Sequence, residues 1–202
     1  MGAPHVRCLA RAIPARRSVG LRVKLVLIRH GDAGDPDPGR YPDDRLRPLT
    51  PKGEHEHRVV GQILAGMGLG FTHLLTSPLR RAHQTAEITA RTLGWTEAIE
   101  SVDALGENFS VSALLEKLGD FPDRAVVACV GHEPHLSRFA AALLHPDGTV
   151  RIALSKSGVI ALDCAGKPAR GTARLLFLLP PDALLQLMAS HDPSRARTGP
   201  TS

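Results

Sequence analysis

The chain has 202 residues, 43% hydrophobic and 22% charged, the balance of a globular protein rather than a disordered or fibrous one. Its apolar runs, such as Leu175 to Leu179, are strand-sized and too short to cross a bilayer as a helix. Three scattered cysteines (Cys8, Cys129, Cys164) provide neither a disulfide framework nor a zinc site, and seven aromatic residues leave little for base stacking. The net charge of +5 resides at the start of the chain, where Arg7, Arg11, Arg16, Arg17 and Arg22 precede the first acid, Asp32. Without them the basic count falls from 25 to 20, equal to the 20 acids, so the charge is no sign of a nucleic-acid partner.

That arginine-rich, acid-free start resembles an organelle transit peptide, but its hydrophobic face is weak and Pro14 breaks it. A disordered basic segment over 1–22, or an upstream start codon, is the plainer reading. One domain is expected over 23–189, in the cytoplasm, followed by a flexible tail over 190–202 that is rich in Pro, Ser and Arg.

Within the domain, Val23–Ile28 is an almost continuous apolar run, as expected of a strand buried on both faces. Asp32–Pro48 carries four prolines and reads as loop. Thr50 is placed as an N-cap and Pro51 as the first helical residue of a helix to about Met67. His73–Thr76 reads as a short strand, and Pro78 as the start of a helix that stops near Gly94. Ala98–Val102 reads as a strand and Val111–Leu118 as a short helix. Ala125–Val130 is a second buried strand, and Pro134 opens a helix to Leu144. Val150–Leu154, Gly158–Cys164 and Ala173–Leu179 read as strands, with room for antiparallel pairing at a sheet edge, before a helix from about Pro181 to Ala189. Strands alternating with helices predict an α/β sandwich with a mostly parallel sheet.

Ligands of such sheets bind beyond the carboxyl ends of the strands. The first strand ends in Arg29-His30-Gly31, the second in Thr76-Ser77-Pro78 leading to Arg80-Arg81, and Ala125–Val130 in Gly131-His132-Glu133-Pro134. Histidines and arginines thus meet at one edge beside helix N-termini, whose free N–H groups and guanidinium forks suit phosphate oxygens. Like charge from the arginines is expected to keep a histidine neutral and nucleophilic. A neutral imidazole can attack phosphorus, so the implied chemistry is phosphoryl transfer through a covalent histidine intermediate, with guanidinium groups supplying the positive charge and no metal required.

Four stretches taken together resemble the signature blocks of the histidine phosphatase superfamily: Arg29-His30-Gly31-Asp32-Ala33, Leu49-Thr50-Pro51-Lys52-Gly53, Ser77 through Glu87 (SPLRRAHQTAE), and Val130-Gly131-His132-Glu133-Pro134. The short chain and the Arg-Leu-Arg-Pro-Leu-Thr run at 45–50 are most similar to the SixA-type phosphohistidine phosphatases. The resemblance covers about residues 23–165 and implies a phosphoglycerate mutase-like, three-layer α/β/α sandwich with no cofactor. It makes His30 the phospho-accepting nucleophile, Arg29 and Arg81 phosphate ligands, and His132 the second pocket histidine that holds the phosphoryl group. Leu105-Gly106-Glu107 fits the pattern that supplies a proton donor, with Asp103 behind it. Relatives often carry an asparagine soon after Arg-His-Gly; Asp32–Asp37 has none.

An imidazole leaving group needs less acid assistance than an alkoxide. Only Leu93 to Ala125 separates the second helix from the next buried strand, which leaves little chain for a lid. A weak or absent acid would favour a histidine-phosphorylated protein as the phosphorylated partner, and an open pocket fits a bulky protein substrate as well as loose specificity; no nucleic-acid or membrane partner is expected. The alternatives are a small-molecule phosphomonoesterase and a phosphate-binding module without turnover. Glu54-His55-Glu56-His57 reads as a solvated helix face rather than a metal cluster, because i and i+2 residues diverge on a helix. His83 is given no role at the pocket, His135 could line it, and Cys129 is an inert core thiol.

Overall fold

A computed structural model describes residues 22–190; the basic leader and the C-terminal tail fall outside them. Strand β1 (Arg22–Arg29) is followed by α1 (Pro51–Gly66), β2 (His73–Thr76), α2 (Arg80–Leu93), β3 (Ile99–Ser101) and α3 (Val111–Gly119). Then come β4 (Val126–Gly131), α4 (His135–Leu144), β5 (Val159–Ala165), β6 (Ala173–Leu179) and α5 (Pro181–Ser190). The six strands form one sheet in the order β3-β2-β4-β1-β5-β6. The β3, β2, β4 and β1 pairings are parallel, and β5 runs antiparallel to both β1 and β6.

Side chains alternate across the sheet because a strand's period is two. Leu25, Leu27, Val127 and Cys129 pack on one face against Leu114 and Leu118 of α3 and Phe139 of α4. Val26, Ile28, Ala128 and Val130 pack on the other against Val60 and Leu64 of α1 and Ala82 and Ala86 of α2. Both neighbours of β1 and β4 are strands and both faces are covered, which is why these two segments are apolar almost throughout. Helix α5 lies against α1. The result is the three-layer α/β/α sandwich that the family resemblance implied.

Local chemistry explains the element boundaries. Thr50 Oγ1 accepts the Gly53 N–H at 3.0 Å, capping α1 with Pro51 at its first position. Gly94 closes α2 at φ 67°, a conformation that glycine adopts without a Cβ penalty. Three expectations need correction. Helix α2 begins at Arg80, two residues after Pro78, because Ser77 and Pro78 turn the chain out of β2 first. Pro134 takes the N-cap position of α4, whose first residue is His135. Val150–Leu154 is not a strand and pairs with none of the six. Its Leu154 carbonyl accepts instead from Arg29 Nη1 at 2.8 Å.

Strand register positions what lies beyond the sheet. Arg29 is paired with Gly131, and Thr76 with Val130. The ladder continues one step further: the His30 N–H donates to the Gly131 carbonyl at 3.0 Å, and the Ser77 N–H to the Val130 carbonyl at 2.9 Å. His30 and His132 therefore leave adjacent strands at one level, with Ser77 one residue short of them on the third.

Candidate active site

Adjacent strands lie roughly 4.8 Å apart, and the rings of His30 and His132 keep that spacing, with centroids 5.0 Å apart and planes tilted by 56°. Both are buried. They line a cleft of about 350 Å³ together with Arg29, Arg47, Arg81 and Glu107. His135 and Lys156 also reach this cleft. A larger groove of about 440 Å³ adjoins it, shares Leu79 and Glu107 as a wall, and is bordered by Arg45, Arg80 and Asp103.

The state of His30 follows from its neighbours. Its Nδ1 lies 2.7 Å from the Gly31 carbonyl oxygen, which can only accept, so Nδ1 carries the proton and Nε2 keeps its lone pair. Gly31 is itself fixed, because its N–H donates to Thr85 Oγ1 at 3.0 Å while the Thr85 hydroxyl donates to the Arg81 carbonyl at 2.7 Å. Burial lowers the His30 pKa to about 4; the Gly31 hydrogen bond opposes this, and Arg81, Arg29 and Arg47 add to it. The neutral imidazole expected from like charge is present, but burial is the larger cause. His132 is pushed down to about 3, again mainly by burial, then by His30 and Arg81.

The arginines are held by the protein with donors to spare. Arg29 Nη1 is anchored on Leu154 as described, and its Nε is buried without a protein acceptor. Arg81 Nη1 donates to the Asp44 carbonyl at 2.9 Å and lies 3.1 Å from the Asp44 carboxylate, while its Nε also lacks a protein acceptor. Burial lowers the Arg81 pKa, and Asp44 opposes the shift. Two buried guanidinium N–H groups beside two neutral imidazoles are matched in number and polarity to an oxyanion.

Arg47 is a pocket residue that the motifs left without a role. It is buried, its Nη1 donates to the carbonyls of Ala33 and Gly34, both at 2.8 Å, and its Nε donates to the Asp44 carboxylate at 2.6 Å. Asp44 thereby joins Arg47 to Arg81. The only sequence signal was the position of Arg47 just before Pro48-Leu49-Thr50. Asp32, where relatives often carry asparagine nearby, is paired with Lys156 and accepts from Thr50 Oγ1 at 3.0 Å.

Glu107 is exposed at the cleft rim. Asp103 borders only the adjoining groove. Arg80 is exposed on that groove, whereas Arg81 turns inward. His83 is not brought to the site: it is half-exposed on α2 and lies 3.2 Å from Glu87. His135 stacks on Phe109 with a centroid distance of 4.4 Å. Of Glu54–His57, His55 is exposed as expected, but His57 is fully buried between α1 and α2 with Nε2 2.8 Å from Thr89 Oγ1. Burial raises the Cys129 thiol to about 12, which keeps it protonated and inert.

A cleft of this kind, on a parallel sheet edge with guanidinium N–H groups beside a neutral histidine, suits the chemistry of phosphoryl transfer. The family model of the histidine phosphatase superfamily (branch 1) matches residues 25–115. An uncharacterised protein of Picosynechococcus is 38% identical over 160 residues, covering 78% of this chain and 95% of the relative. The chain belongs to the histidine phosphatase superfamily and is a phosphatase. Phosphohistidine phosphatase SixA of Escherichia coli is 29% identical over 147 residues, covering 71% of this chain and 88% of that protein. A solved structure of the protein histidine phosphatase SixA complexed with tungstate shares the fold, with a TM-score of 0.68 at 24% identity, covering 80% of this chain and 99% of that one. Among the described residues, no helix is long and apolar enough to cross a membrane.

Proposed function

We propose that this phosphatase works without a metal through a covalent phosphohistidine on His30, and that it acts on histidine-phosphorylated protein. The observation that carries the reading is the fixed tautomer of His30, which leaves the Nε2 lone pair as its free polar atom in a cleft shared with Arg29, Arg81 and His132. In the first step, His30 Nε2 forms a bond to phosphorus as the phosphorus–nitrogen bond of the substrate breaks. The bonding pair leaves with the substrate imidazole, which takes up a proton. In the second step, water attacks phospho-His30, releasing inorganic phosphate and restoring the lone pair on Nε2. Arg29 and Arg81 balance the equatorial oxygens, and His132 holds the phosphoryl group through both transfers.

Glu107 is the proton donor in this proposal. It stands at the rim on the wall shared with the adjoining groove, the side open to a leaving group. An exposed rim and an open groove have room for a polypeptide carrying the phosphorylated side chain, and the similarity to the E. coli SixA protein supports the same substrate class. A cytoplasmic setting would keep Cys129 and Cys164, both free thiols, reduced.

Trapping the phosphoenzyme with a labelled phosphoryl donor tests the mechanism. The expected label is acid-labile, base-stable and absent from His30→Ala. Phosphate binding with neither label nor turnover would instead identify a binding module. Rapid turnover of a phosphohistidine protein with weak turnover of p-nitrophenyl phosphate is the expected preference, and the reverse order would make the chain a small-molecule phosphomonoesterase.

A further inference from the structure

Ser77 is the last residue before the chain turns into Pro78, and it is completely buried. Its Oγ accepts the Leu79 N–H at 3.2 Å and lies 2.8 Å from His132 Nε2. Among the described residues these are the polar contacts of that hydroxyl, and they decide the direction of the second one. The Leu79 amide can only donate, so it uses a lone pair of Oγ. Were His132 Nε2 also to donate, the Ser77 O–H would be a buried donor with no acceptor, an arrangement that folded proteins avoid. With the hydroxyl donating to Nε2, the Ser77 O–H has an acceptor and its Oγ a donor.

We infer that Ser77 is a positioning residue that holds neutral His132 as its Nδ1–H tautomer, so that the ring presents a hydrogen-bond donor to the phosphoryl group. His30 is held in the same tautomer but anchored at the other nitrogen, with Nδ1–H on the Gly31 carbonyl and the Nε2 lone pair left for phosphorus. Two neutral imidazoles with centroids 5.0 Å apart thereby acquire opposite duties from two backbone-anchored partners. One offers electrons to phosphorus, and the other offers a proton to a phosphoryl oxygen without adding a positive charge beside the arginines. In the other tautomer of His132, a lone pair on Nδ1 would meet the phosphoryl oxygens. The space around Ser77 is tight: a Cβ on Gly106 would lie 3.2 Å from its Oγ, so the hydroxyl has little freedom to turn elsewhere.

This role rests on the phosphatase reading, but the tautomer is measurable without any turnover. Long-range proton–nitrogen NMR spectra of the full chain with nitrogen-15-labelled histidine distinguish the two ring nitrogens. At pH 7 the wild type is expected to show a protonated Nδ1 and an unprotonated Nε2 at His132, with the same pattern at His30. In Ser77→Ala the His132 preference should disappear while the His30 pattern remains. Loss of this donor should also cost about 10²-fold in kcat, the scale for one oxyanion donor, with a smaller change in KM. A protonated Nε2 at His132 in the wild type would overturn the inference whether or not Ser77→Ala folds. So would an unaltered His132 pattern in a folded Ser77→Ala. The expected spectra in a protein without phosphatase activity would uphold the tautomer and refute the functional reading instead.

Discussion

Arg81 grips Asp44 twice, donating from Nη1 to the backbone carbonyl at 2.9 Å and meeting the carboxylate at 3.1 Å. Asp44 is in turn fastened by Arg47 at 2.6 Å, and the Arg47 hydrogen bond is the main reason its carboxyl stays below the ordinary range. An exposed ion pair would contribute little. Here both arginines are buried, so the carboxylate governs where the Arg81 fork lies and which of its N–H groups stay available.

Removing Asp44 should therefore loosen the phosphate site without touching the histidines. In Asp44→Ala, the dissociation constant for vanadate is expected to rise about tenfold, the scale of a hydrogen bond to a charged group. Arg81→Lys should be worse, since an ammonium has no planar fork to span Asp44 and an oxyanion together. Calorimetric titration with vanadate checks both, and unchanged affinity in Asp44→Ala would show that Arg81 holds its position unaided.

Acid should destabilise this fold from an unusual source. The His57 pKa is lowered by burial to about 4, against about 6.5 in an unfolded chain. The unfolded state binds the extra proton between those values, so stability is full above about pH 6.5 and declines as pH falls towards 4. The loss between pH 7 and pH 5 from this one ring is on the order of 2 kcal/mol. His30 and His132 add in the same direction. Urea unfolding at the two pH values should show a smaller difference in His57→Gln than in the wild type.

Packing at the cap of α1 leaves no space for a side chain. A Cβ on Gly53 would lie 2.1 Å from the Asp32 carbonyl oxygen, and backbone cannot yield as a flexible side chain does. Gly53→Ala should cost at least about 1–3 kcal/mol and displace the loop that follows His30. Gly66, at the end of the same helix, has nothing within 4 Å of a Cβ. Gly66→Ala should be neutral or add up to about 1 kcal/mol. Denaturation midpoints of the pair test whether close approach, rather than helix propensity, explains Gly53.

The duty of Glu107 can be separated from binding by varying the leaving group. Glu107→Gln is expected to lose about 10²-fold in kcat on an alkyl phosphomonoester, whose alkoxide needs a proton. Turnover of a phosphohistidine protein should be nearly unchanged, because imidazole leaves readily. Equal losses on both substrates would remove Glu107 from the proton-donor role.

Much of this architecture was legible because it rests on local or periodic signals. β1 and β4 stand out as apolar runs, Thr50-Pro51 as a cap and Gly94 as a stop, each fixed by the chemistry of a few neighbouring residues. The edge of the molecule was less legible. Val150–Leu154 has the composition of a strand, yet it pairs with none of the six strands, and its Leu154 carbonyl accepts from the Arg29 side chain instead. His57 resembles a surface residue among charged neighbours until α2 is laid across it.

The sequence by itself determined which residues stand at the ends of the strands, since periodicity and turn chemistry place Arg29-His30, Ser77, Arg81 and Gly131-His132 there. What those side chains do to one another was decided only in three dimensions. Strand register sets His30 beside His132, burial more than like charge neutralises both rings, and the carbonyl of Gly31 selects the nucleophilic nitrogen. Asp44 and Arg47 reach Arg81 from a loop more than thirty positions earlier in the chain. Hydrogen bonds and desolvation depend on distances between atoms remote in sequence, and only the packed sheet brings those atoms together.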